Sequence, residues 1–189
     1  MRSMKFYKMY AQPSIEEYAV PGAEIEVLSQ GCLYSEFQFL DHRPISVEIS
    51  EEGGIIFPDF IEYQSIPLIS EGMRRVFDKF NVDYVFYKPV QLTFAERGIA
   101  ENYFLALPPR IDCLDYERSD YESEENTFTL PIELICDLTE PVIDKSRVGR
   151  YDIFRLDRVL SSDTIITERL KNALAAESFS NLYFDELEE

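Results

Sequence analysis

The chain has 189 residues, 46% of them apolar, and carries 36 acidic against 18 basic side chains for a net charge of −18. That apolar content supports a packed domain, while the charge has the wrong sign for displacing counterions from nucleic acid or for adhering to an anionic membrane. No apolar run nears the roughly 18 residues of a membrane span, and no apolar signal core follows Met1–Lys5, so cytoplasmic residence is expected.

Taken in order, Lys5–Tyr10 alternates loosely and predicts a first strand. Pro21-Gly22 marks a turn, and Ala23–Leu28 alternates again. Ile45–Ile49 is a clean period-2 strand with one buried face. Ile56-Phe57 starts the next strand. Ser70 then offers an N-cap hydroxyl, with Glu71 in the first turn and Met73, Val76, Phe77 and Phe80 on one face of a short helix. Tyr84–Tyr87 reads as a strand that Pro89 ends or places at an edge. Gln91–Phe94 and Tyr103–Leu107 are further strand candidates, the second stopped by Pro108-Pro109. Thr127–Leu134 alternates as a strand with Pro131 at an edge or bulge. Ile153-Phe154, a helix opened by Thr167 and Glu168 with Leu170, Ala173 and Leu174 inward, and Leu182–Phe184 complete the pattern before an acidic tail.

The last of these stretches repeats an earlier one. With a shift of 97 positions and no gap, Ile56-Phe57, Ser70, Met73, Phe77 and Val85–Tyr87 fall on Ile153-Phe154, Thr167, Leu170, Leu174 and Leu182–Phe184. A register held over that length points to one supersecondary unit used twice. The expected fold is α+β, a mostly antiparallel sheet with two short amphipathic helices from a repeated strand–helix–strand unit. It is expected to form a single domain over residues 1–189, with pseudo-repeat halves near 1–97 and 98–189.

One local feature is charged enough to be a site. Between Ile111 and Glu125 stand Asp112, Asp115, Glu117, Asp120, Glu122, Glu124 and Glu125 against the single basic Arg118. A calcium loop is excluded, because the stretch has neither the D-x-[DN]-x-[DN]-G spacing nor any glycine. Two readings stand: a solvated loop between strands, or a partner-facing surface. In the second, the carboxylates steer a cationic protein and Tyr116 and Tyr121 supply contact area.

Catalytic constellations are sparse. His42 is the single histidine, which excludes a multi-histidine metal site. Cys32 and His42 carry no surrounding signature of a thiol–imidazole pair. Leu68–Gly72 lacks the first glycine of a nucleophile elbow. There is no P-loop and no G-x-G-x-x-G. Cys32, Cys113 and Cys136 are odd in number and widely spaced, as expected of free thiols in a reducing compartment. No enzyme activity and no cofactor is expected.

Asp152–Leu156, Ile165–Leu174 and Leu182–Phe184 together resemble the C-terminal signature of the eleventh family of bacterial polymorphic-toxin immunity proteins, formerly a domain of unknown function. Pro58-Asp59-Phe60, Leu68–Glu71 and Phe86–Pro89 resemble its N-terminal counterpart. Tyr103–Leu107 with Asp112, Leu114-Asp115 and Ser119 is similar to its central segment. The resemblance starts near Ile55, and Asn181 stands where the family has glycine before the last strand. What it implies is an immunity protein that binds and neutralises a cognate bacterial toxin, with no catalytic residue to carry over. The toxin is expected to be basic. The alternative from composition alone is a non-catalytic acidic structural or regulatory binding protein.

Overall fold

The computed structural model describes residues 4–12, 17–22, 43–50, 53–63, 66–126, 132–160 and 162–188, the side chains of 124–126 and 132–133 excepted. The expected strand Ala23–Leu28, the residues Cys32 and His42, and Thr127–Pro131 lie outside the described residues.

Among the described residues strand dominates, with three short α-helices, so the α+β expectation holds in its outline. The strands are β1 (Phe6–Tyr10), β2 (Ile45–Glu48), β3 (Phe60–Tyr63), β4 (Ile66–Ser70), β5 (Phe86–Phe94), β6 (Ile99–Leu107), β7 (Arg110–Ile111), β8 (Asp120–Asn126), β9 (Ile132–Glu140), β10 (Ile153–Leu156), β11 (Thr164–Thr167) and β12 (Tyr183–Glu186). The helices are α1 (Glu71–Lys79), α2 (Lys145–Val148) and α3 (Glu168–Ala175).

Instead of one sheet, the described residues form two of five strands, plus a two-stranded ribbon. The first sheet runs β12-β1-β11-β10-β7 and the second β2-β5-β6-β4-β3, while β8 and β9 pair with each other. The sheets do not follow the order of the chain. β1 is paired between β11 and β12, and β6 lies between β4 and β5.

Two units share one plan. The hairpin β3–β4 leads straight into α1, which lies against β4 and β6 and delivers β5 to the far side of β6. The hairpin β10–β11 leads straight into α3, which lies against β11 and β1 and delivers β12 to the far side of β1. In each, the strands before and after the helix are antiparallel to the one between them. Each unit is therefore a βαβ crossover split by an inserted strand.

The helices begin where capping chemistry puts them. The amides of Met73 and Leu170 donate to the hydroxyls of Ser70 and Thr167, at 3.3 and 3.5 Å. Met73, Val76 and Phe77 are buried, as are Leu170 and Leu174.

The ungapped register fails before the hairpins. Ile56 makes only an isolated bridge with Tyr18, and Phe57 is in no strand. The strand that pairs like Ile153 is Phe60–Tyr63: Phe60 faces Ile69 as Ile153 faces Ile166. The longer connection at residues 157–163 displaces the match by four positions.

Pro89 does not end its strand either. β5 runs on to Phe94, and β2 begins opposite Val90, so among the described residues Pro89 sits just before the pairing of β5 with β2 begins.

The faces of both sheets that carry the helices meet in one core, where Tyr7, Met9, Ile153 and Ile166 join Phe60, Ile69, Met73, Phe77 and Leu174. A second cluster, including Val47, Leu68, Leu92 and Leu105, fills the other face of the second sheet. A third, including Phe6, Phe154, Ile165, Leu114 and Ile135, fills the other face of the first sheet and lies beneath the ribbon.

Candidate partner-binding surface

The acidic stretch is not one loop. Residues 112–119 are irregular backbone with a bridge from Leu114 to Ile143 and a turn at 116–118, and residues 120–126 are strand β8 of the ribbon. Its early members are committed to internal contacts. Asp112 accepts from the Tyr116 hydroxyl at 2.8 Å and from Arg147 at 2.6 Å. The Asp115 carboxylate accepts from the Glu117 amide at 3.2 Å, and the Asp115 amide donates to the Val142 carbonyl at 2.9 Å.

Tyr116 and Tyr121 stack edge-to-face at 5.9 Å and pack on the core under the ribbon. Burial, with help from Asp112, pushes the Tyr116 phenol up to about 12. These rings are half-buried parts of the fold, so as exposed contact area they offer less than their residue types promise.

What faces outward is carboxylate. Glu117, Asp120 and Glu122 are exposed, and so are Asp137 and Glu140 on β9. The pairing sets Asp120 opposite Glu140, Glu122 opposite Asp137, and Glu125 opposite Glu133. Neither strand contains a lysine or arginine. Among the described residues, none of Asp120, Glu122, Asp137 and Glu140 takes part in an ion pair. The side chains of Glu124 and Glu125 lie outside what is described.

Like charges directly opposite each other cost a ribbon roughly 0.2–1 kcal/mol per pair. A two-stranded ribbon is marginal by itself, so something else must hold this one. Tyr121, Ile135 and Leu138 pack inward, and Ile135 is bonded through its backbone to Arg158 and Leu160 at 2.8 and 3.0 Å. The inner face secures the ribbon, leaving the outer face free to concentrate charge.

The β9 carboxylates escape a periodicity reading, which stops the strand at Leu134. The pairing skips Cys136 and Thr139, two bulges that break the alternation after Ile135 and turn Asp137 and Glu140 outward. The usable signal was compositional: Ile132–Glu140 holds three carboxylates and no cation.

The serine that superficially suggested a nucleophile is occupied. Ser70 caps α1, and its hydroxyl donates to Asp59 at 2.9 Å. Cys113 is buried, and burial raises its thiol to about 12, which suppresses the thiolate. Cys136 is exposed and unbonded to another cysteine. None of the described helices is long and apolar enough to cross a membrane.

Asn181 has φ of 59°, the left-handed conformation in which glycine is usual. It is more than tolerated there, since its side-chain Nδ2 donates to the Phe60 carbonyl at 3.1 Å and its side-chain Oδ1 accepts from the Gln12 backbone amide at 3.1 Å.

No curated protein matches the chain. A family model does, the immunity protein family (Imm11), over residues 8–189. The match takes in most of the first 50 residues, for which motif reading found no counterpart, and it begins within β1, the strand at the centre of the second crossover unit. With nearly the whole chain covered, this protein belongs to the immunity protein family (Imm11).

Proposed function

We propose that the protein neutralises a cognate toxin by binding it in the cytoplasm of the producing cell, with no catalysis of its own. The outer face of the ribbon forms part of the contact. Asp120 and Glu122 of β8 act there with Asp137 and Glu140 of β9 and the neighbouring Glu117, while Glu124 and Glu125 continue the same acidic run in sequence. Asp112, Asp115, Tyr116 and Tyr121 hold the segment beneath in shape.

The observation that carries this reading is the cross-strand pairing of carboxylates with no cation in either strand. A fold has no internal use for that repulsion, whereas a basic partner removes it on docking. Family membership supplies the class of partner, a toxin protein. The shared plan of the two hairpin–helix–strand units supports a further reading, that the chain arose by duplication of one such unit.

The test is to express the toxin domain encoded next to this gene, with and without this protein. Protection of the cells and a purified complex are expected. A toxin that neither binds nor is silenced overturns the reading.

A further inference from the structure

Between the ribbon and the first sheet lies a cavity of about 110 Å³. Leu156, Val159 and Ile165, all buried, form its depth together with Leu138 of β9. Exposed Asp137 also lines it, as do Lys8 and Asp163, which neutralise each other in an ion pair at 2.9 Å. Ligand sites for small molecules span roughly 300–1,000 Å³, so this space is too small for a cofactor and suits one side chain.

The lining decides which kind. Apolar depth alone would suit any aliphatic group. Here the lining adds exposed Asp137, with Glu122 directly across the ribbon from it and no cation paired to either among the described residues. Lysine and arginine combine an apolar stem with a terminal cation. Anchors seated in pockets dominate the energetics of interfaces.

We propose that this cavity receives a lysine or arginine side chain of the toxin, its stem against Leu138 and Ile165 and its cation at Asp137. The inference rests on the toxin-binding reading above and adds to it the point where the partner is anchored.

The test begins without toxin. The intact, isotope-labelled protein is titrated with n-butylammonium and, separately, with n-butanol, following backbone amides by NMR. Butylammonium should shift Leu138, Val159 and Ile165, with n-butanol about fivefold weaker, the value of one partly exposed charge contact. Asp137→Asn should remove that difference, and Leu187→Phe, which enlarges a side chain lining the cavity, should abolish both titrations. Equal binding of the two probes to the wild type, or no shift at these residues, overturns the proposal.

The second arm uses the neighbouring-gene toxin domain, whose dissociation should be at least fivefold faster from each variant. Dissociation unchanged in both variants overturns the anchor while leaving toxin binding intact. A protein that takes butylammonium but binds no toxin removes the partner, and the proposal with it.

Discussion

Asp59 and Asp152 hold the same position in the two crossover units, each one residue before its hairpin and each bonded to the cap of its own helix. Ser70 donates its hydroxyl to Asp59 at 2.9 Å, and Thr167 donates to Asp152 at 2.7 Å. The cap amides donate to the carbonyls of the same aspartates, at 2.8 and 2.9 Å. Each aspartate is also gripped by the loop after the other unit's helix. Ser180 donates its amide and hydroxyl to Asp59, at 3.0 and 2.8 Å, and the Tyr84 hydroxyl accepts from the amides of Asp152 and Ile153. The two aspartates therefore fasten each hairpin to its own helix and to its neighbour.

Asp59→Ala should accordingly destabilise the protein by about 2–3 kcal/mol, because it strips acceptors from half-buried donors that cannot all find water. Ser180→Ala should cost about 1 kcal/mol. The double variant should cost less than the two singles combined, since both remove the same bonds. Denaturant unfolding measures all three, and strict additivity would show that Asp59 and Ser180 act separately.

Asp152 gives the fold a pH dependence. Burial pushes its carboxyl up, but hydrogen bonds from Arg169 and Thr167 outweigh that and hold it below the ordinary value of 3.8. A carboxyl with a depressed folded value stabilises the native state at neutral pH, and the contribution disappears as the pH falls through the ordinary range to the depressed one. Asp152→Asn should therefore be less stable than wild type by about 1–2 kcal/mol above roughly pH 5, a modest figure because Arg169 is largely exposed. The gap should shrink below about pH 4. A gap that stays constant down to pH 2 would place the effect in shape and not in charge.

Helices α1 and α3 and their caps were legible because they depend on neighbours in sequence: a hydroxyl, an acid in the first turn, and an apolar stripe at helical spacing; the single turn of α2 has no such stripe and was not foreseen. The strands at Phe6–Tyr10 and Ile45–Glu48 were legible for the same reason. Sheet membership was not. Nothing local in Phe6–Tyr10 says that it pairs between β11 and β12, more than 150 residues later. The charge at Asp112–Glu125 was visible, but pairing with Arg147 and packing of Tyr116 had already claimed part of it. The remainder of the outward charge lay on β9, behind two bulges that no period-2 reading survives.

Leu174 tests the shared core. It is fully buried, in the cluster that also contains Phe60, Met73 and Phe77 of the other unit. Leu174→Ala should cost about 2–5 kcal/mol through lost burial and the cavity left behind. Leu174→Asp should cost more, since it adds an unpaired charge to the same space. Melting temperatures equal to wild type for both variants would refute the placement of α3 against that core.

The ribbon makes a paired prediction in which stability and binding move in opposite directions. Glu122 faces Asp137 across the strands, so Glu122→Gln relieves repulsion and should stabilise the free protein by up to about 1 kcal/mol. The gain should fade with added salt, because exposed charges are screened over about 8 Å at physiological ionic strength. The same substitution weakens the field that draws in a basic toxin. Glu122→Gln with Glu124→Gln and Glu125→Gln should slow association several-fold at low salt and leave dissociation nearly unchanged, since charges at the margin of an interface act mainly on the encounter. Asp137→Asn differs in kind, for Asp137 lines the cavity proposed as the anchor site and its loss should also speed dissociation. Stopped-flow binding across a salt series, alongside unfolding of the same variants, separates these effects. A triple variant that is no more stable than wild type and binds toxin at the same rate at every salt concentration would show that the carboxylates of β8 neither strain the ribbon nor steer the partner.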